Sequence, residues 1–490
     1  MNDFILLLPV LLPVFAGVLL QCLPFAKEKS KRDRYVIIMF ILTASLTGSI
    51  AFVGEKSLLL FYLTKEIPFY VQTDGLAKFF LLLINIVWPL VGIFSLEYMK
   101  HEEREEQFVS FYFIVYGILN GLGLSGNLIT FYLFYECMTL LTVPFVLHTR
   151  TRQAVYAAKK YLFYSIAGAS MALFGFFFLA NYTTSLTFTK GGTLNQMTLA
   201  GNESVVLFAV FLLLLGFGTK AGMFPMHGWL PTAHPVAPAP ASAVLSGVIT
   251  KAGVLGILRV VFYIVGTEFL RGTWVQYAFL TLTLITVFMG SMLAYKEQNM
   301  KKRFAYSTVS QVSYILFGIA ILTEEALLGS LLHIVFHSLI KNTLFLVAGA
   351  IIYKTGKTMI KELKGIGKQM PIVIWCFTFV SLALVGIPPT GGFVSKWFLA
   401  IGALEAEIPV FSILGPIVLL LSALLTAGYL LPITIHGFLT GAEDTTNWER
   451  KEPTIQMLLP IGLFMIGAVV LGMFPNVIIE PITQMITGLF

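Results

Sequence analysis

Runs of about twenty apolar residues follow one another along almost the whole chain, separated by short polar or charged breaks. A helix needs roughly 20 apolar residues to cross about 30 Å of hydrocarbon, and the spacing of the breaks fits that requirement. Cutting at the breaks yields about fourteen candidate spans, beginning near Asp3, Tyr35, Leu76, Phe108, Leu128, Val155, Val205, Ala241, Trp274, Phe304, Leu327, Ile372, Val410 and Ile455. No stretch has the polarity or the period-2 alternation of a folded water-soluble domain. The pattern predicts an all-α polytopic membrane protein. The apolar run from Phe4 is followed, not preceded, by the basic cluster Lys27 to Arg34, so it reads as a first retained helix and not as a signal peptide.

Two spans break the helix rules. The seventh runs through Gly216, Gly218, Lys220 and Gly222 into Phe224-Pro225-Met226-His227-Gly228-Trp229-Leu230-Pro231, so regular helix should fail just after the lysine. The twelfth, Ile372 to Ala403, is 32 residues long, about 48 Å as continuous helix. It contains Gly386-Ile387-Pro388-Pro389-Thr390-Gly391-Gly392 and must be interrupted. Broken helices in corresponding halves point to an ion site in an inverted-repeat transporter, because non-helical backbone at membrane depth survives only against protein or water. A shift of 176 residues lays Lys396 on Lys220 and Thr426 on Thr250. The expected organisation is therefore an N-terminal three-helix segment (1–107), two inverted five-helix repeats (108–265 and 274–438), each with a broken helix, and a C-terminal helix (455–490).

Composition agrees: 57% of residues are hydrophobic, 12% are charged, and the mean hydropathy is +0.86. The net charge of +7 is a topology signal. With the N-terminus outside, 22 of the 32 Lys and Arg residues fall in inner loops and only Lys56, Lys65, Lys78, Lys190 and Arg271 in outer ones. Cytoplasmic loops hold such an excess, so both termini are expected outside and no polyanionic partner is needed. Cys22, Cys137 and Cys376 lie far apart in apolar segments and form neither a CxxC pair nor a ladder of iron ligands, which argues against redox centres in this chain.

Five cations remain inside spans: Lys220, Lys251, Arg259, Lys341 and Lys396, with Glu136 as the mid-membrane carboxylate. An ionisable group at that depth costs about 2.5–3.5 kcal/mol to insert and marks a functional site by default. His333, His337 and Lys341 follow at i, i+4 and i+8, so they project from one helix face that can hold a file of waters. Arg259 lies near the outer end of its span, where bonding helix-end carbonyls or anchoring at the interface explains it. His227, His234 and His436 read as core residues, and the His333/His337 pair lacks the further Cys or acidic ligand of a metal site. The glycines around Lys220 follow no strand, which excludes a phosphate loop.

The run FPMHGWLPTAHPVAPAPASAVLSGVITKAGVLGILR from Phe224 to Arg259, the Asp74-Gly75-Leu76 start of the third span, the stripe from His333 to Lys341 and the second broken helix resemble the antiporter-like subunits of complex I, of membrane-bound hydrogenases and of Mrp sodium/proton antiporters. The phrase Leu230 to Pro238, with Ser242 and Ser246-Gly247 following, is most similar to hydrogenase-4 and formate-hydrogenlyase (group 4) subunits. The usual NADH dehydrogenase form has an acid where Thr232 stands and a proline where this chain has Ala221-Gly222. The resemblance is to a fourteen-helix, core-only member.

The resemblance implies a proton relay. Glu136 and Lys220 match the family's charged pair, Lys251 its connecting residue, His333, His337 and Lys341 its central relay, and Lys396 its terminal donor or acceptor. A carboxylate beside a buried ammonium stabilises its charge, so moving Glu136 relative to Lys220 would switch the lysine between holding and releasing a proton. The proton would then pass through Lys251 to Lys341 and His337, and on to Lys396. It further implies a non-redox subunit of a redox-driven hydrogenase-like or NADH/quinone-type complex in the inner (cytoplasmic) membrane. Iron–sulfur clusters, and nickel, flavin or quinone, would sit in peripheral partners, and the membrane partners would include paralogous antiporter-like subunits. The alternative is a subunit of an Mrp-type Na+/H+ antiporter. A solute transporter would need a substrate pocket, for which the chain offers no aromatic or acidic constellation.

Overall fold

The computed structural model describes residues 3–23, 28–52, 54–65, 67–439 and 449–490; Lys27, the first residue of the basic cluster, lies outside the described residues. The chain runs α1 (Leu8–Cys22), α2 (Lys29–Ala51), β1 (Ser57–Thr64), β2 (Ile67–Gln72), α3 (Gly75–Tyr98), α4 (Glu105–Gly123), α5 (Leu128–Leu147), α6 (Arg152–Ala180), α7 (Glu203–Ala221), α8 (Ala239–Val265), α9 (Trp274–Lys296), α10 (Met300–Ile321), α11 (Glu324–Thr355), α12 (Pro371–Val385), α13 (Gly391–Glu405), α14 (Phe411–Phe438), α15 (Ile455–Met473) and α16 (Asn476–Ile486), with short helical turns between. Among the described residues twelve helices are long and apolar enough to cross a membrane. The chain is a multi-pass, all-α membrane protein. α4 and the α12/α13 pair, which begin near the expected starts at Phe108 and Ile372, are not among the twelve.

Polar side chains at the breaks set the helix starts. Asp74 accepts from Ala77 N (2.8 Å), Asn127 from Thr130 N (2.8 Å), Thr151 from Ala154 N (3.1 Å) and Asn299 from Lys302 N (3.1 Å). Each satisfies one of the orphan amides of a first turn.

Two elements differ from expectation. β1 and β2 pair antiparallel, with Phe61 stacked on Phe69 at 4.9 Å. Both strands are short continuous apolar runs, which periodicity cannot tell from helix. The C-terminal segment divides in two near Phe474-Pro475, giving α15 and α16 instead of one helix.

The chain packs as two compact units: Met1–Gly218 with Ala252–Leu270 and Gly488–Phe490, and Thr219–Lys251 with Arg271–Thr487. In the first, α1 packs closely on α4: Ser110 Oγ donates to Gly17 O (2.6 Å) and Asn120 Nδ2 to Pro9 O (2.9 Å). α3 joins them through a reciprocal pair, Trp88 Nε1 to Tyr112 O (3.0 Å) and Tyr112 OH to Trp88 O (2.7 Å). In the second, α10 and α11 are buried along nearly their whole length. Hydroxyls knit them to their neighbours: Ser291 meets Ser310 at 2.9 Å and Ser422 at 2.6 Å, and Ser307 meets the Tyr429 hydroxyl at 2.6 Å. Where lipid replaces water, close packing and such hydrogen bonds hold helices together in place of the hydrophobic effect.

Candidate functional site

Both predicted breaks are present, and each turns on a glycine. α7 ends at Ala221 and Gly222 follows with φ 83°; α12 ends at Val385 and Gly386 follows with φ 93°. Left-handed backbone costs a residue with a Cβ roughly 1–2 kcal/mol. The 176-residue shift superposes the two lysines but not the two breaks: Lys220 precedes its break, whereas Lys396 follows the other on α13. The chemistry converges nonetheless. Lys220 occupies the last turn of α7. Lys396 reaches back across its break, donating Nζ to Leu384 O (2.6 Å) and Val385 O (3.0 Å), carbonyls that the end of α12 leaves open. Lys396 thus places its ammonium at the negative end of a half-helix, and Lys220 belongs to the last turn of the other.

Lys251 is the centre of the buried file. It stands on α8 directly after a π-helical turn, Leu245–Ile249. Its Nζ lies 2.5 Å from Ser246 O and 2.7 Å from His337 Nδ1. As an ammonium it donates to both, which leaves the proton of a neutral His337 ring on Nε2. The Ser246 hydroxyl meets Thr308 Oγ1 of α10 at 2.7 Å and fixes the turn from the other side.

One helical turn along α11, His333 stacks on His337 with 5.9 Å between ring centroids and on Tyr314 with 5.5 Å. Its Nδ1 contacts Ser395 Oγ at 2.9 Å, and the neighbouring residue Lys396 lies over the Tyr314 ring at 5.2 Å. Lys251, His337, His333, Ser395 and Lys396 therefore line up as a polar path across α8, α11 and α13, joined by a hydrogen bond at Lys251–His337 and at His333–Ser395 and by ring stacking between the two histidines. Lys341 projects from the same face of α11 but donates to Phe304 O at 3.1 Å, so it flanks the path as a branch and does not stand between Lys251 and His337.

Lys220, Lys251, His333, His337 and Lys341 are fully buried, whereas Glu136 and Lys396 are only half-buried. Lys220 lies 6.0 Å from the centre of the Trp229 ring, and Trp229 Nε1 donates to Thr219 O at 2.8 Å, closing the broken segment on itself. Glu136, on α5 in the first unit, interacts electrostatically with Tyr132, Tyr135 and Tyr161. His234 is buried against Phe345 at 4.6 Å, in keeping with its reading as a core residue.

The expectation for Arg259 needs correction. It is fully buried and bonds neither helix-end carbonyls nor an interface: it forms a bidentate ion pair with Asp74, with Nη2 to Oδ1 at 2.9 Å, and its guanidinium lies 4.5 Å from the Phe188 ring and 4.6 Å from the Tyr263 ring. Burial alone would raise the Asp74 carboxyl, but Arg259 and the Ala77 amide outweigh it and hold the group below its ordinary range. Nothing in the spacing of residues 74 and 259 announces this pair. Ser246, Ser395 and Tyr314 were also missed. For Tyr314 a signal is legible in α10, where Ser307, Thr308, Ser310, Gln311 and Ser313 lead up to it within a membrane span.

The family model described as NADH:quinone oxidoreductase/Mrp antiporter, TM matches residues 125–426, and that for the complex I chain 5 N-terminus matches residues 63–109. NADH-quinone oxidoreductase subunit N of Desulforudis audaxviator is 31% identical, covering 84% of this chain and 83% of that one. Hydrogenase-4 component B of Escherichia coli is 32% identical, covering 67% of this chain and 50% of the relative. A solved Mrp complex from Dietzia sp. contains a chain of the same fold, with TM-score 0.86 at 22% identity, covering 100% of this chain and 98% of that one.

Proposed function

Because the chain belongs to the family of membrane subunits shared by NADH:quinone oxidoreductase and Mrp antiporters, we propose that it carries protons through the membrane as one subunit of a redox-driven complex. The observation that carries this reading is the Lys251 to His337 contact at 2.7 Å inside a fully buried segment. Burying so many bases in one path is expensive, and a structural core has no use for it. Lysines and imidazoles also suit a proton better than sodium, which prefers oxygen ligands.

In this reading Glu136 sets the charge on Lys220, Lys251 and His337 relay the proton, Lys341 stores charge beside them, and His333 with Lys396 passes it on. The half-buried position of Lys396 favours a neighbouring membrane subunit at that end of the path. Fourteen spans, two inverted repeats and both termini on the outer face of the cytoplasmic membrane complete the reading. The equivalent hydroxyl bonds Thr250 to Ser246 O and Thr426 to Ser422 O, both 2.8 Å and 176 residues apart, support the repeat. Iron–sulfur clusters, with nickel, flavin or quinone, belong to peripheral partners.

Gentle extraction of the complex with mass spectrometry of its subunits, followed by proton transport in vesicles, tests both parts. Co-purifying redox subunits and loss of transport in Lys251→Met, with assembly intact, are expected; full transport in Lys251→Met would refute the relay. The second reading, an Mrp-type antiporter subunit, is supported by the same family model, whose description names both kinds of complex. It predicts small membrane partners alone and sodium/proton exchange without an electron donor.

A further inference from the structure

Between His337 and His333 the path has an interval that no hydrogen bond from a described side chain closes. The rings of His337 and His333 stack with 5.9 Å between their centres, a geometry that does not pass a proton from ring to ring. The Nε2 atoms of both rings are buried and have no hydrogen-bond partner among the described residues. Gln311 of α10 is in the same position: it is fully buried, neither its amide oxygen nor its amide nitrogen has a partner at hydrogen-bond distance among the described residues, and the polar side chain beside it is Tyr314. The nearby Tyr314 hydroxyl directs its proton to Leu419 O at 2.7 Å.

Helix geometry places Gln311 at that interval. Residues three apart on a helix share a face. Thr308, three before it, touches Ser246, whose carbonyl receives Lys251; Tyr314, three after it, stacks on His333. Gln311 therefore lies level with the space between the two halves of the path. Buried polar atoms in native proteins are almost always paired with protein or with ordered water, and a buried water needs two to four polar partners.

We propose that Gln311 holds a buried water that hydrogen-bonds the free Nε2 atoms of His333 and His337. The inference rests on the proton-relay reading for its consequence but not for the water itself. A glutamine carries no proton, so Gln311 is a positioning residue. Its amide can donate to the water and accept from it, orienting the molecule to take a proton at one imidazole while giving one to the other.

The test is a high-resolution electron cryomicroscopy map of the intact membrane complex, wild type and Gln311→Met, paired with proton transport in vesicles. Methionine preserves volume and removes both polar atoms. An ordered water within hydrogen-bond distance of Gln311 and both histidines is expected, with its loss in Q311M. Transport should fall about tenfold or more in Q311M, as for other misplaced reacting groups, and recover in Gln311→His, which keeps a donor and an acceptor. A wild-type map with no water against Gln311, or Q311M transporting at the wild-type rate with the water gone, overturns the proposal. A water present in the wild type and absent in Q311M, in a complex that moves no protons at all, upholds the site and refutes the transport reading instead.

Discussion

Asp74→Asn isolates the ion pair that ties the start of α3 to the last turns of α8. Asparagine is as good a helix cap as aspartate, so the bond to Ala77 N should survive and only the charge is lost. What remains is a guanidinium at 1% exposure with no carboxylate beside it. Removing one partner of a buried pair costs about 3–5 kcal/mol. The Phe188 and Tyr263 rings at 4.5 and 4.6 Å still stabilise the cation, which places Asp74→Asn at the lower end of that range, about 3 kcal/mol. Arg259→Met should cost less, since the Asp74 side chain retains 15% exposure and can rehydrate. The double variant leaves no orphaned charge and should lie within about 1 kcal/mol of wild type. Equilibrium unfolding in nanodiscs at pH 7 measures all three. The pH dependence follows from the depressed Asp74 carboxyl: its stabilisation is present above the unfolded value of about 3.9 and is lost as pH falls through the lower folded value, so the difference between wild type and Asp74→Asn should be flat from pH 5 to 8 and shrink below about 4. Additive single-variant effects, or an Asp74→Asn protein as stable as wild type, would refute the reasoning.

Other consequences are testable in the same preparations. Lys396→Met should leave the Leu384 and Val385 carbonyls without their donor and destabilise the second break by about 1–3 kcal/mol, seen as faster amide exchange around Gly386 than around Gly222. Gly222→Ala forces a Cβ to within 2.3 Å of Leu230 at a φ of 83° and should cost at least about 1 kcal/mol. Gly462→Ala, whose Cβ would meet nothing within 4 Å, should be neutral or stabilising in the same equilibrium unfolding assay. Ser395→Ala should slow transport while leaving the Lys251 to His337 distance of 2.7 Å unchanged in a structure of the variant, because it removes only the hydroxyl that holds His333.

The apolar runs determined the class, the helix order and the two breaks, because helices in lipid must satisfy their own backbone and Pro-Gly segments cannot. The buried bases were legible for the same reason: a charge among twenty apolar residues has no bland explanation, and the i, i+4, i+8 spacing of residues 333, 337 and 341 already put them on one face. Periodicity could not reveal the pairing of β1 with β2, strands whose sequences lack alternation, nor the division between α15 and α16. Nor could it order the path. Lys341 is as buried and as basic as its neighbours, yet it branches to Phe304, while Ser246, Ser395 and Tyr314 complete the line. Spacing along one helix reports which residues share a face; which of them touch depends on residues far off in the chain, as with Asp74 and Arg259, 185 positions apart. The sequence by itself therefore determined what the chain must bury and where its helices must fail, both local properties of the chain in lipid. Only the tertiary structure decided which buried groups face one another, because hydrogen-bond distances of 2.5–3.0 Å are set by helix packing and not by order along the chain.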